Sequence, residues 1–238
     1  MEIDKKPEHI LLVFEGEVTE YKVYELLQKH GLGIGKEILT TFKAEIYQLY
    51  KQIIEDDADL FLLLQEKDKS LCSISKDNIS AIFLFFDFDC HATQAVDEKV
   101  GELINYFNNE TEDGKLFVSY PMVEAFKYFK QCSDLEDFLN LHVVRDKVCD
   151  FKEFSHSISN HAKTWQKMTK EDCQGLLKLH CIKANYLVNS EKELCDLDIE
   201  QSLIFNIYDN SDQIYVLSAF PLMLKYYFNH DRFIELIS

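Results

Sequence analysis

Glu15 closes an apolar run, His9 to Phe14 (HILLVF), and Asp87 and Asp89 close a second, Ser80 to Phe86 (SAIFLFF). Carboxylates at the ends of such runs can move protons or hold a cation. Asp87 and Asp89 are two positions apart, so an extended chain presents both on one side. If the two runs are neighbouring strands of a parallel sheet, the acids meet where such sheets bind ligands, outside their carboxyl ends. Acids crowded together raise one another's pKa unless a cation neutralises them. Hard oxygen donors with room for water suit Mg²⁺ or Mn²⁺. Glu15, Asp87 and Asp89 are therefore the expected metal-binding set.

Other reactive side chains are weighed against plainer roles. Glu17 and Glu20 fall in the first turn after Glu15, where acids favour a helix N-terminus. That is the role expected of both, with an extra ligand as the alternative for Glu17. Asp56, Asp57 and Asp59 read as a solvated helix end. Cys90 and His91 follow the aspartates directly, and His91 is either a surface loop residue or a phosphate or metal contact. His156 and His161 are five apart, not the four that puts two ligands on one helix face. The lysines Lys127, Lys130, Lys163, Lys167, Lys178 and Lys183 are candidates for a phosphate path. Arg145, one of two arginines in the chain, is the best single phosphate candidate, against the alternative of an exposed ion-pair partner.

The elements that must position these residues follow from periodicity. HILLVF and SAIFLFF are continuous apolar runs, as expected of strands buried on both faces of a parallel sheet. Thr19 to Lys29 has helical periodicity, closed by the glycines between 31 and 35. Lys36 to Phe42 reads as a strand and Ala44 to Ile54 as a helix. Leu60 to Asn78 allows a helix and then a loop. Thr93 to Asn108 is amphipathic, with Val96, Val100, Leu103, Ile104 and Phe107 on its apolar side. Lys115 to Ser119 reads as a strand, and Pro121 starts a helix through Phe129. Strand and helix thus alternate over residues 9–129, the pattern of a parallel sheet with flanking helices. Beyond residue 131 the pattern is helical: Asp134 to Val144, Ser155 to Met168, Lys170 to Leu187, Ile199 to Ile207 and Asp212 to Phe228. Thr169 and Asp172 have the spacing of a helix-start capping pair. The expectation is an α/β domain over residues 1–130 and a mostly helical region over 131–238 packed on it.

Composition bounds the partners. A hydrophobic fraction of 47% supports a large core and excludes a disordered chain. The seven cysteines are scattered without a CxxC pair, so free thiols are expected rather than a structural zinc, with Cys173 and Cys181 as small core residues. Met1 to Glu8 lacks the apolar stretch of a signal peptide, and no apolar run is long enough to span a bilayer. A cytoplasmic protein without membrane contact is the expectation. Formal net charge is −17, which disfavours a nucleic-acid coating protein. The stretch 126–183 is net positive while both flanks are acidic, so contact with a polyanion is sought there first.

The order of an apolar strand, Glu15-Gly16, a helix and a strand ending Asp87-Phe88-Asp89 resembles the Toprim domain. The resemblance covers residues 9–129, about half the chain. It implies acid–base or metal-binding work for Glu15 and Mg²⁺ binding for Asp87 and Asp89. Ser119-Tyr-Pro-Met-Val-Glu124-Ala-Phe loosely resembles an Asn-Pro-x-Phe-Glu-x-Trp segment of RloB-like proteins. That implies a place for Glu124 at the same site as a metal or water ligand, against the alternative of a helix-capping or exposed acid. Topoisomerases, primases and recombination mediators of the Toprim group carry further modules that this chain has no room for. A metal-dependent nuclease of the overcoming-lysogenisation-defect kind, a hydrolase in phage defence acting with a partner ATPase or other protein subunit, is what the resemblance implies. Lys127, Arg145, Lys163 and Lys167 are then its expected nucleic-acid contacts. Two alternatives stand beside it. One is a regulatory or scaffold subunit with a vestigial metal site, to which the strong acidity would suit a basic partner. The other is a phosphatase resembling the haloacid dehalogenases, with Asp87 as nucleophile and Asp89 as acid–base; His91 stands where that family has Thr or Val.

Overall fold

The two apolar runs lie side by side at the centre of the sheet. The computed structural model describes residues 9–90, 95–127, 135–153 and 167–238. Strand β1 (His9–Phe14) pairs in parallel with β2 (Glu37–Thr41) on one side and with β3 (Ile79–Asp87) on the other. Next to β3 runs β5 (Gly114–Ser119), also parallel, and the short β4 (Asn108–Asn109) closes that edge antiparallel. The order is β2-β1-β3-β5-β4. The five residues of β1 after His9 and the run Ala81 to Phe86 of β3 are buried, which explains their unbroken apolar sequence.

Helices cover both faces. On one, Phe14 meets Tyr21 and Tyr24 of α1 (Thr19–Lys29) at centroid distances of 5.1 and 6.2 Å. Phe85 stacks there at 4.7 Å on Phe220. One residue further along β3, Phe86 turns to the opposite face, edge-on to Phe42 at 5.7 Å. That face also carries α2 (Ile46–Tyr50), continued by a π-helical turn over Lys51–Glu55, then α3 (Leu60–Lys67) and α4 (Asp97–Tyr106). Asp59 does not end a helix: it caps the start of α3, accepting from the Leu62 amide at 2.9 Å. Val96, expected on the apolar side of α4, is 45% exposed. Gly114 is required at the head of β5, where φ is +120° and a Cβ would stand 2.7 Å from Leu84.

The later residues depart from an all-helical reading. The segment after Pro121 is a 3₁₀ turn over Val123–Lys127, where a helix is expected, and the expected helix end at Phe129 lies outside the described residues. Asp134 to Val144 divides into α5 (Leu135–Leu139) and strand β6 (His142–Val144). Asp212 to Phe228 divides into β7 (Gln213–Tyr215), antiparallel to β6, and the start of α8 (Ala219–Ile237). The helices α6 (Lys170–Asn189) and α7 (Gln201–Tyr208) form where expected. The helix read over Ser155 to Met168 lies almost wholly outside the described residues. One dominant core joins residues from both halves of the chain, from Ile10 to Phe233. Among the described residues no helix is long and apolar enough to cross a membrane.

Candidate functional site: a carboxylate crevice at the strand ends

From β1 the chain passes to β2 on one side and returns past it to β3 on the other. The carboxyl ends of β1 and β3 therefore flank the point where strand order reverses, the place where open parallel sheets bind ligands. Glu15 extends β1 by one residue: its amide donates to Phe85 O at 3.0 Å, and its carbonyl accepts from the Lys43 amide at 3.0 Å. The Glu15 side chain then reaches across, Oε2 accepting from the Asp87 amide at 2.9 Å. Asp87 is the last residue of β3, in register with Ser119 of β5. The expected adjacency of the two acidic strand ends is thus observed.

Electrostatic repulsion couples the members of the group. Burial, and next the charge of Asp89, push the Glu15 carboxyl up to about 8; the Asp87 amide opposes the shift, while Glu20 and Glu45 add to it. Asp87 is held well above the usual carboxylate range by burial first and then by Glu15, Glu20, Asp89 and Glu124.

Glu20 belongs to this cluster, although its place in the first turn of α1 suggests only a dipole role. It is buried, and its Oε1 accepts from the Gly16 amide at 3.1 Å. A Cβ at position 16 would stand 3.3 Å from Glu20 Oε2, so the glycine after Glu15 leaves this carboxylate room to lie close. Burial raises the Glu20 pKa, Glu124 adds to the shift and Lys152 opposes it. The only sequence signal for Glu20 is the Gly16 before it.

Glu124 lies on the Val123–Lys127 turn, which packs against α1. It is buried, and Lys152 Nζ approaches its Oε1 at 3.5 Å. Glu124 lies close enough for its charge to act on Asp87 and Glu20, with an ammonium group against it. Glu17 points away: it is 62% exposed in its side chain and pairs with Lys43 at 2.6 Å.

The expected phosphate contacts divide. Lys127 is buried, and that burial lowers its pKa. Lys167 is exposed. Arg145 is not open to a phosphate: its guanidinium is spread over Asp97, Tyr208 O and Ser211 O. Lys183 is buried, donating to Phe138 O at 2.7 Å and Leu141 O at 2.8 Å. His91, Lys130, His156, His161 and Lys163 lie outside the described residues.

Among the described residues no three His, Cys, Asp or Glu side chains stand close enough to grip one ion by themselves. The donor chemistry nonetheless fits Mg²⁺ or Mn²⁺. Glu15 and Asp87 are partly buried carboxyls raised by desolvation and by neighbouring acids, and such ions commonly take one or two carboxylates with water and phosphate completing the shell. Comparison with protein-family models, with curated proteins and with solved structures gives no match for the chain, so the crevice is interpreted from its own residues.

Proposed function

We propose that the protein is a divalent-metal-dependent phosphodiesterase acting on DNA or RNA, built around Glu15 and Asp87 in the manner of the Toprim proteins that the sequence resembles. The observation that carries this reading is the Glu15–Asp87 contact at the strand-order reversal, where desolvation and neighbouring acids, Asp89 for Glu15 and Glu15 for Asp87, hold both carboxyls above their ordinary range. A crevice charged in this way favours a cation, and Asp87, Asp89 and Glu15 are the residues that would hold it. Mg²⁺ or Mn²⁺, when bound, offsets their charge and polarises a phosphoryl oxygen. Glu15 then has the acid–base role. Its Oε2 is fixed by the Asp87 amide, so Oε1 is the atom left to take a proton from the attacking water. Glu124 and Glu20 shape the field around Asp87 rather than supply further ligands. A place in phage defence beside a partner ATPase rests on the resemblance alone.

The test is cleavage of plasmid, single-stranded DNA and total RNA by purified protein with Mn²⁺, Mg²⁺ or EDTA. Cleavage is expected with the metals and not with EDTA, and Asp87→Asn is expected to lower it by orders of magnitude together with metal affinity. Unchanged cleavage by Asp87→Asn would remove Asp87 from the mechanism. A phosphoryl group trapped on Asp87 from a small phosphomonoester would favour the haloacid-dehalogenase reading instead.

One observation favours the second reading, a non-catalytic regulatory or scaffold subunit. Glu15, Glu20 and Glu124 each have a partner within the chain, namely the Asp87 amide, the Gly16 amide and Lys152, so the cluster is partly satisfied without a cation. A folded protein that takes up neither Mg²⁺ nor Mn²⁺ would decide for it.

A further inference from the structure

Phe88 separates the two aspartates, and its surroundings are built largely by the second half of the chain. Its amide donates to Ser119 O at 2.9 Å and its carbonyl accepts from the Cys90 amide at 2.7 Å, so the backbone between Asp87 and Asp89 is held at both ends. Its ring is fully buried against Tyr120, Phe205 and Tyr208, at 5.3, 6.1 and 6.3 Å. The Arg145 guanidinium covers the ring at 5.5 Å, within cation–π range.

That guanidinium cannot drift. Nη1 and Nη2 meet the two Asp97 oxygens at 3.0 and 2.7 Å, Nη2 also donates to Tyr208 O at 3.0 Å, and Nε donates to Ser211 O at 2.8 Å. Asp97, in the first turn of α4, is 7% exposed in its side chain and also accepts from the Asn210 amide at 2.9 Å. A two-pronged charged pair of this kind fixes direction as well as distance, which a lysine's point charge does not.

We infer that Arg145, clamped by Asp97, is a positioning residue: by seating the Phe88 ring it sets the direction of the flanking Asp87 and Asp89 carboxylates. The C-terminal half of the chain then builds the crevice without contributing a ligand to it. The inference rests on the metal-binding reading above and adds what makes that site competent. It also gives the one conspicuous arginine of the basic middle stretch a use other than phosphate contact.

The test compares full-length wild type, Arg145→Lys, Phe88→Leu and Phe233→Leu. Phe233 is a buried ring near the far end of α8 and serves as a control for loss of stability alone. Mn²⁺ affinity is measured by titration calorimetry well below melting, with near-ultraviolet circular dichroism to verify the fold. In Arg145→Lys and Phe88→Leu the Mn²⁺ Kd is expected to rise roughly 10–100-fold, the usual effect of losing a group that orients a ligand. Turnover should fall with it, while KM for nucleic acid holds. Phe233→Leu is expected to melt earlier yet bind Mn²⁺ as wild type does. Should Arg145→Lys fail to fold, Phe88→Leu, an exchange of one buried apolar side chain for another, carries the test. Folded Arg145→Lys or Phe88→Leu with wild-type Kd overturns the positioning role, as does an equal loss in Phe233→Leu. Failure of wild type itself to bind Mn²⁺ is a different outcome, and overturns the metal reading on which the inference rests.

Discussion

At the scale of single residues the crevice stores unfavourable charge, and that has a sign in pH. The Glu15 carboxyl is raised from its ordinary 4.5 to about 8. A folded pKa above the free value means the native state holds the proton more tightly than the unfolded chain does. Its contribution to stability is therefore complete below about 4.5 and is lost as pH rises through about 8. In EDTA the melting temperature of wild type is expected to fall across that window. Glu15→Gln keeps an oxygen for the Asp87 amide but carries no proton to lose, so its melting curve should be flatter there. Mg²⁺ should restore wild type most at the alkaline end, because it replaces the missing protons. Parallel pH dependence of wild type and Glu15→Gln in EDTA would refute the coupling. Glu15, Asp87 and Asp89 are legible in the sequence because local order, strand then acid, decides their place. Glu20 and Lys152 are not, because what they face depends on how the Val123–Lys127 turn meets α1 and on where residue 152 returns to the crevice.

At the scale of elements, what could be read depended on length and local punctuation. The long apolar strands and the helices α1, α6 and α7 announce themselves by period and boundary. For α6 even the cap is visible: Thr169 Oγ1 accepts from the Asp172 amide at 3.2 Å, and Asp172 returns to the Thr169 amide at 2.9 Å. Thr169→Ala is expected to cost about 1 kcal/mol, the usual worth of such a cap. In a chain of this size that lowers the melting temperature by about 2–4 °C. Equilibrium urea unfolding measures it, and a variant as stable as wild type would mean the cap is replaced by water. The pair β6–β7 was not legible: three residues complete no alternation, and each strand's partner lies far away in sequence. Pro221 does carry a usable signal. A helix from Asp212 would place it in the interior, where it removes a hydrogen bond, whereas in α8 it stands in the first turn.

At the scale of the molecule the charge map misled where the fold spent its cations internally. Residues 126–183 are net positive, yet Lys127 and Lys183 are buried and Arg145 is bound to Asp97. A segment's net charge says nothing of which side chains turn inward. The same inward turning joins the two halves of the chain. Phe220 lies on Phe85, and Tyr226 meets the edges of Phe83 and Phe117 at 6.2 and 6.0 Å, so α8 covers one face of the sheet. Beyond the two residues that β4 pairs, the edge of β5 is capped by the second half of the chain, with the Val118 amide donating to Gln201 Oε1 at 3.3 Å and the Tyr120 amide to Leu217 O at 2.8 Å. A fragment ending at residue 130 would therefore bare an aromatic sheet face and the edge amides of Val118 and Tyr120 together. Bare apolar faces and open edges both drive association. The 1–130 fragment is expected to aggregate, or to remain compact with 1-anilinonaphthalene-8-sulfonate binding and without near-ultraviolet dichroism. The full chain should show neither behaviour under the same conditions. A soluble fragment with dispersed amide resonances and a cooperative melt would show that residues 1–130 fold alone. Its Mn²⁺ affinity would then be measured without Arg145: a weakened affinity is what the positioning role of Arg145 predicts, and wild-type affinity would contradict it.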